Sequence, residues 1–161
     1  MILVDANLLL YAKIEDLPQH RAAAAWFEQA VGGPSKVGLP WPSLLGFLRI
    51  STNPRVFTRP LPMARAWEQV AEWIDLPAVW IPQPTERHGS VVGELLLGAN
   101  ASGNLVPDAH LAAIAVEHGL EVCSTDADFA RFAGVRWRNP LAAHEAREPR
   151  PRPYRARKRK T

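Results

Sequence analysis

Hydrophobic residues come along this chain in short blocks separated by Gly, Pro and charged positions, and the length and period of each block predict an element. The first stretch is MILVDANLLLYA. Ile2, Leu3 and Val4 form a continuous apolar run of the kind expected for a strand buried on both faces, as in the middle of a parallel sheet. Asp5 interrupts the run where that strand ends, and apolar residues resume in a helical segment from Leu8 to Ala12. Pro18 and Gly32-Gly33 then bracket a helix of about four turns carrying Trp26 and Phe27. Pro42 opens a helix with Leu44, Leu45, Phe47, Leu48 and Ile50, which Asn53-Pro54 closes. Pro62 starts another through Trp67, Val70, Trp73 and Ile74. Thr85 is suited to cap the helix that contains Val91, Val92, Leu95, Leu96 and Leu97. Pro107 suits the first turn of the helix Asp108 to His118, and Gly119 terminates it. Shorter apolar runs at Val37–Leu39, Val79–Ile81, Leu120–Ser124 and Val135–Trp137 read as strands, with a turn at Thr125-Asp126-Ala127-Asp128 leading into a short helix with Phe129 and Phe132.

Strands alternating with helices predict an α/β protein of three layers with a central, mostly parallel sheet. The 161 residues suit one domain over residues 1–141. The net charge of +3 conceals a division, because residues 147–161 hold eight Arg or Lys against one acid, leaving the remainder mildly acidic. The segment 142–161 therefore reads as a basic, Pro-containing, disordered tail, either a solubilising end or one that adds affinity for a polyanion by counterion release. The single cysteine, Cys123, lies in an apolar strand and has no internal partner, which fits a small buried side chain in a reducing cytosol and excludes a disulfide framework. No apolar stretch approaches the roughly 20 residues of a membrane span, and the N-terminus lacks a basic leader, so a soluble, cytoplasmic protein is expected.

Three acids stand where chemistry is expected: Asp5 at the end of the first strand, Asp108 in the first turn of a helix, and Asp126 just after the strand LEVCS. Side chains at such places reach the carboxyl edge of a parallel sheet, where ligands bind. Taken alone, Asp5 and its neighbour Asn7 serve equally well as caps of the helix that follows. Three carboxylates in one crevice would repel, by a few kcal/mol for unit charges ~4 Å apart at an effective dielectric near 20, and such a cluster calls for a divalent cation. Oxygen donors suit Mg²⁺, with Mn²⁺ as a substitute, and no His or Cys pair at metal-ligand spacing argues for zinc.

The segments MILVDANLLLYA, LPWPSLLGFLRISTNPRVF, NLVPDAHLAAIAVEHG, CSTDADFARF and VRWRNPL resemble, in order and spacing, the PIN-domain ribonucleases, and among them the VapC-type toxins of bacterial toxin–antitoxin pairs. The resemblance covers residues 1–141 and implies a PIN-like α/β/α fold and a Mg²⁺-dependent endoribonuclease that hydrolyses RNA. It further implies a homodimer and a cognate antitoxin that holds the activity in check. Asp5 and Asp108 match the family's principal metal-binding acids, and Asp126 matches the later acid that completes the cluster or positions the water. Thr125 matches a hydroxyl position beside it, at the substrate. Asp128 is a further acid of the same turn or a helix cap.

One position departs from the family. A Glu is usual in the helix at 42–52, whereas the aligned residue here is Gly46, in LLGFLRI. Asn104, Asn7 or Glu94 would then supply the missing oxygen, Asn104 being first choice because it precedes Asp108 on the same loop, also within reach of substrate. Alternatively, Gly46 leaves room for close approach of an RNA backbone or an antitoxin. The departure also keeps open a catalytically weak or inactive PIN-fold module that binds RNA or a partner. Arg49 and Arg55 flank this helix and suit phosphate contact or structural ion pairs. His20, His88, His110, His118 and His144 share no motif and read as packing or surface residues, and the six Trp as core or interface.

Overall fold

The apolar run at the start of the chain takes the central place in the sheet. In the computed structural model, which describes residues 1–142, the elements run β1 (Ile2–Val4), α1 (Ala6–Lys13), α2 (His20–Gly32), β2 (Val37–Gly38), α3 (Trp41–Ser51), α4 (Met63–Ile74), β3 (Val79–Trp80), α5 (His88–Gly98), α6 (Leu105–Glu117), β4 (Glu121–Cys123), a 3₁₀ helix (Ala127–Arg131) and β5 (Trp137–Arg138). The strand order is β3-β2-β1-β4-β5, and all four pairings are parallel. The expected tail and His144 lie outside the described residues.

Alternation along β1 divides the core into two. Val4 packs with Cys123 against residues of α1 to α4, whereas Leu3 packs with Val122 against α5, α6 and the 3₁₀ helix. Leu3 and Val4 are wholly buried, as a strand covered on both faces must be. The first layer is anchored by Trp73, whose ring meets Phe47 edge-on at 4.8 Å and Phe27 at 5.9 Å. Such aromatic pairs contribute about 0.5–1.5 kcal/mol each beyond the area they bury. Among the described residues no helix is long and apolar enough to cross a membrane.

Most element boundaries follow their Pro and Gly signals. Gly119 ends α6 with φ +63, the left-handed conformation that costs glycine least. Thr85 does not cap α5, whose first residue is His88. Its amide donates instead to Glu117 at the end of α6, 3.1 Å away, and its hydroxyl donates to the same carboxylate oxygen. The other Glu117 oxygen bonds His88 Nδ1 at 2.7 Å, and His88 Nε2 meets His110 Nδ1 at 2.8 Å. Two histidines that appeared unrelated in sequence thus pin α5 to α6. Burial and the neighbouring His88 hold His110 below the usual imidazole range; Glu117, although burial opposes its charge, is held below its ordinary value by the Thr85 and His88 hydrogen bonds. The last strand begins at Trp137 rather than Val135, because the register pairs Val122 with Trp137.

Gly46 is required by packing. A Cβ built on it would stand 2.8 Å from Cβ of Ala6, so α1 and α3 approach too closely for any side chain there. The space once open to RNA or antitoxin is filled by the Ala6 methyl group. Gly46→Ala should lower the unfolding free energy by about 1–3 kcal/mol, the usual cost of overpacking, read as a reduced denaturation midpoint; a midpoint equal to the parent's would mean that the two helices separate freely.

Candidate functional site

The sheet changes direction once: β2 and β3 extend outward on one side of β1, and the chain then crosses to lay β4 on the other side. The carboxyl ends of β1 and β4 therefore border the crevice in which open α/β sheets bind ligands. Val4 pairs with Cys123, so Asp5 and Ser124 leave the sheet side by side, and the Asp5 amide donates to the Cys123 carbonyl at 3.0 Å.

Ser124, fully buried, joins these two strand ends. Its hydroxyl donates to Asp5 Oδ2 at 2.7 Å and accepts from Asn7 Nδ2 at 2.9 Å and from the Asp126 amide at 3.0 Å. One donor and two acceptors exhaust what a serine hydroxyl can do. The other Asp5 oxygen accepts the Ala6 amide at 2.6 Å, so Asp5 caps α1 while also facing the crevice. The cap reading of Asp5 is borne out, and its carboxylate also lines the cleft.

Asp108 reaches the same crevice from the first turn of α6. A cleft of about 400 Å³ is lined by Asp5, Asn7, Asn104, Asp108 and Asp126, together with Ser43, Gly46 and Arg49 of α3. Sequence positions 5, 104, 108 and 126 are thus brought together. Thr125 is half-buried beside Asp126 and does not line the cleft; neither do Glu94, exposed on α5, and Arg55. Asp126, not Asp128, caps the 3₁₀ helix, accepting the Asp128 amide at 2.9 Å, and Asp128 pairs with Arg131 at 3.6 Å. Sequence reasoning missed Ser124 and Ser43, and the one available signal for Ser124 was its position directly beyond a buried strand.

The electrostatics are those of negative charge held without compensation. Burial pushes the Asp5 carboxyl above its usual range despite the Ser124 and Ala6 hydrogen bonds, and the charge of Asp126 adds to this. Asp108 is pushed up to about 6, first by burial and then by the charges of Asp5, Asp126 and Asp128. Among the described residues no three His, Cys, Asp or Glu side chains stand close enough to share one ion as they are, which is how mutually repelling carboxylates arrange themselves. The donor set nevertheless fits a hard cation: it is all oxygen, it carries excess negative charge, and Oδ1 of Asn7 is buried with no hydrogen-bond partner. A nucleophilic thiol is not part of this site, because burial pushes Cys123 up to about 11.

Comparison with known proteins identifies the family. Residues 2–135 match the family model described as PIN domain. The chain is 44% identical over 142 residues to Ribonuclease VapC37 of Mycobacterium tuberculosis, covering 88% of this chain and 99% of that protein. To Ribonuclease VapC33 of the same species it is 45% identical over 141 residues, again covering 88% and 99%. Among solved structures, VapBC2 from Rickettsia felis, bound to a DNA fragment from their promoter, superposes with a TM-score of 0.65 at 14% identity, covering 86% of this chain and 98% of that one. The Mycobacterium tuberculosis toxin VapC20, described as cleaving the sarcin-ricin loop, gives 0.62 at 18% identity over 84% and 99%. With a domain model spanning nearly all the described residues and relatives matched from end to end, the chain belongs to the PIN-domain family and, within it, to the VapC ribonucleases.

Proposed function

We propose that this chain is the toxin of a toxin–antitoxin pair, an endoribonuclease that hydrolyses RNA phosphodiester bonds in the cleft, with Asp5, Asp108 and Asp126 holding Mg²⁺ and a cognate antitoxin restraining it. The observation that carries this reading is the convergence of three acids from separate parts of the chain on one cleft at the sheet's switch point. PIN-domain ribonucleases depend on a divalent metal, and a site built from carboxylates and amides favours Mg²⁺ or Mn²⁺ over softer ions. The reading also places the protein in the cytosol as a homodimer.

The chain's own residues divide the work. Ser124 fixes the plane of the Asp5 carboxylate by donating to Oδ2, and the Ala6 amide holds the other oxygen, so this acid is oriented before anything binds. Asp108 and Asp126 reach the cleft from the first turn of α6 and from the turn after β4, and with Asp5 they would hold the cation. Asn7 Oδ1 offers a neutral oxygen in the place where another carboxylate would add more repulsion. Asn104, which lines the cleft, would meet the RNA there, whereas Thr125, beside Asp126 but off the lining, would meet it only outside the cleft. Mg²⁺ bound there would lower the pKa of an attacking water and stabilise charge developing on the scissile phosphate.

The direct test is cleavage of total RNA by the purified chain with Mg²⁺, with EDTA, and by Asp5→Asn. EDTA and the substitution should each lower the rate by at least about a hundredfold, the scale lost with a main transition-state stabiliser. Equal cutting in all three would remove the mechanism. Intact RNA in all three, with Mg²⁺ still bound, would leave a binding module on the same fold.

A second test uses pH. Because the carboxyl of folded Asp108 sits at about 6 against an ordinary 3.8, the folded protein holds that proton more tightly than the unfolded chain. Its contribution to metal-free stability therefore falls as pH rises from about 3.8 to about 6 and is constant above. Asp108→Asn should flatten this slope, raise the Tm of EDTA-treated protein at pH 7.5, and abolish the further rise that Mg²⁺ gives the parent, all measured by thermal denaturation. A substitution that lowers the EDTA Tm at pH 7.5 would show that Asp108 is held in place by attraction rather than strained by repulsion.

A further inference from the structure

The acids reach the cleft from β1, β4 and α6, while α3 supplies lining of a different character. Ser43, Gly46 and Arg49 recur at a spacing of three and so share one face of the helix. Arg49 is the only Lys or Arg among the cleft's lining residues, and it is exposed. Elsewhere Arg65, Arg131 and Arg138 are committed to ion pairs with Glu68, Asp128 and Glu121. Arg49 has no hydrogen-bond or ion-pair partner among the described residues, although the cleft it lines contains three acids. Ser43 is 1% exposed, yet its hydroxyl has no partner either. A buried hydroxyl left unpaired costs stability unless something else satisfies it.

A polyanion entering this cleft meets uncompensated carboxylates, and a free guanidinium on the same lining is what offsets that repulsion. Arg presents a planar fork matched to phosphate oxygens. The Ser43 hydroxyl is buried below this lining, so the exposed Arg49 alone on α3 offers a charged donor to an incoming strand. We propose that Arg49 forms a subsite for the RNA backbone next to the scissile phosphodiester, its exposed guanidinium taking a phosphate of the bound strand. This rests on the ribonuclease reading above.

The test uses the full chain carrying Asp5→Asn, so that RNA is bound and not cut, with Mg²⁺ present. Anisotropy of a fluorescein-labelled single-stranded RNA of mixed sequence gives Kd across a range of KCl concentrations. Adding Arg49→Ala should raise Kd about tenfold and reduce the slope of log K against log[KCl] by about 0.7, the value for one phosphate contact on a single strand. Arg49→Lys should keep the slope and recover part of the affinity. The same Kd and slope for Arg49→Ala as for its parent would overturn the subsite and leave the guanidinium free for an acidic protein partner. Failure of the ribonuclease reading appears separately, as intact RNA with the unsubstituted chain and Mg²⁺.

Discussion

The site depends on one buried hydroxyl. Ser124 sits where β1 and β4 end side by side and is bonded to Asp5, to Asn7 and to the backbone of Asp126. Those three residues belong to two strand ends more than a hundred positions apart in the chain, and the parallel register of Val4 with Cys123 is what brings them within reach. Because the serine's hydrogen-bonding capacity is fully used, the Asn7 amide can be oriented only one way, with its oxygen turned away from Ser124. A single residue thereby fixes an acid, a neutral oxygen donor and the start of the turn that carries the third acid.

Around this fixed point the molecule keeps charges that a stability-optimised protein would not. Asp5 and Asp108 are raised by burial and by their acidic neighbours, and no cation of the chain pairs with them among the described residues. The remainder of the fold is conventional by comparison: two apolar cores on either side of the sheet, and helices joined by a Glu117–His88–His110 chain of hydrogen bonds. Perturbed carboxylates held by a well-packed surround are the pattern expected of a functional site.

Much of this was legible in the sequence because the relevant signals are local. Three apolar residues followed by Asp5 declare a buried strand ending at a site; Pro and Gly mark the helices; and Asp108 sits one turn into a helix, where its position is set by 3.6-residue geometry. What was not legible depends on contacts between distant positions. A serine after a strand looks like any other until the register places Asp5 beside it. Thr85 has the composition of a cap, but Glu117, 32 residues away, competes successfully for its hydrogen bonds. His88 and His110 lie 22 residues apart and pair only because α5 packs on α6. Asp126 and Asp128 are interchangeable as caps by composition, and the bond from the Asp128 amide decides between them.

The close approach of Gly46 and Ala6 couples two positions forty residues apart in the chain. A carboxylate at position 46 cannot be gained here in one step, since the Ala6 methyl group already fills the space that its Cβ would need. An acid there needs a smaller residue 6 or a shift of α3 to make room for its Cβ. The two positions are therefore interlocked: while α1 and α3 stay this close, a methyl group at 6 and a side chain at 46 exclude each other.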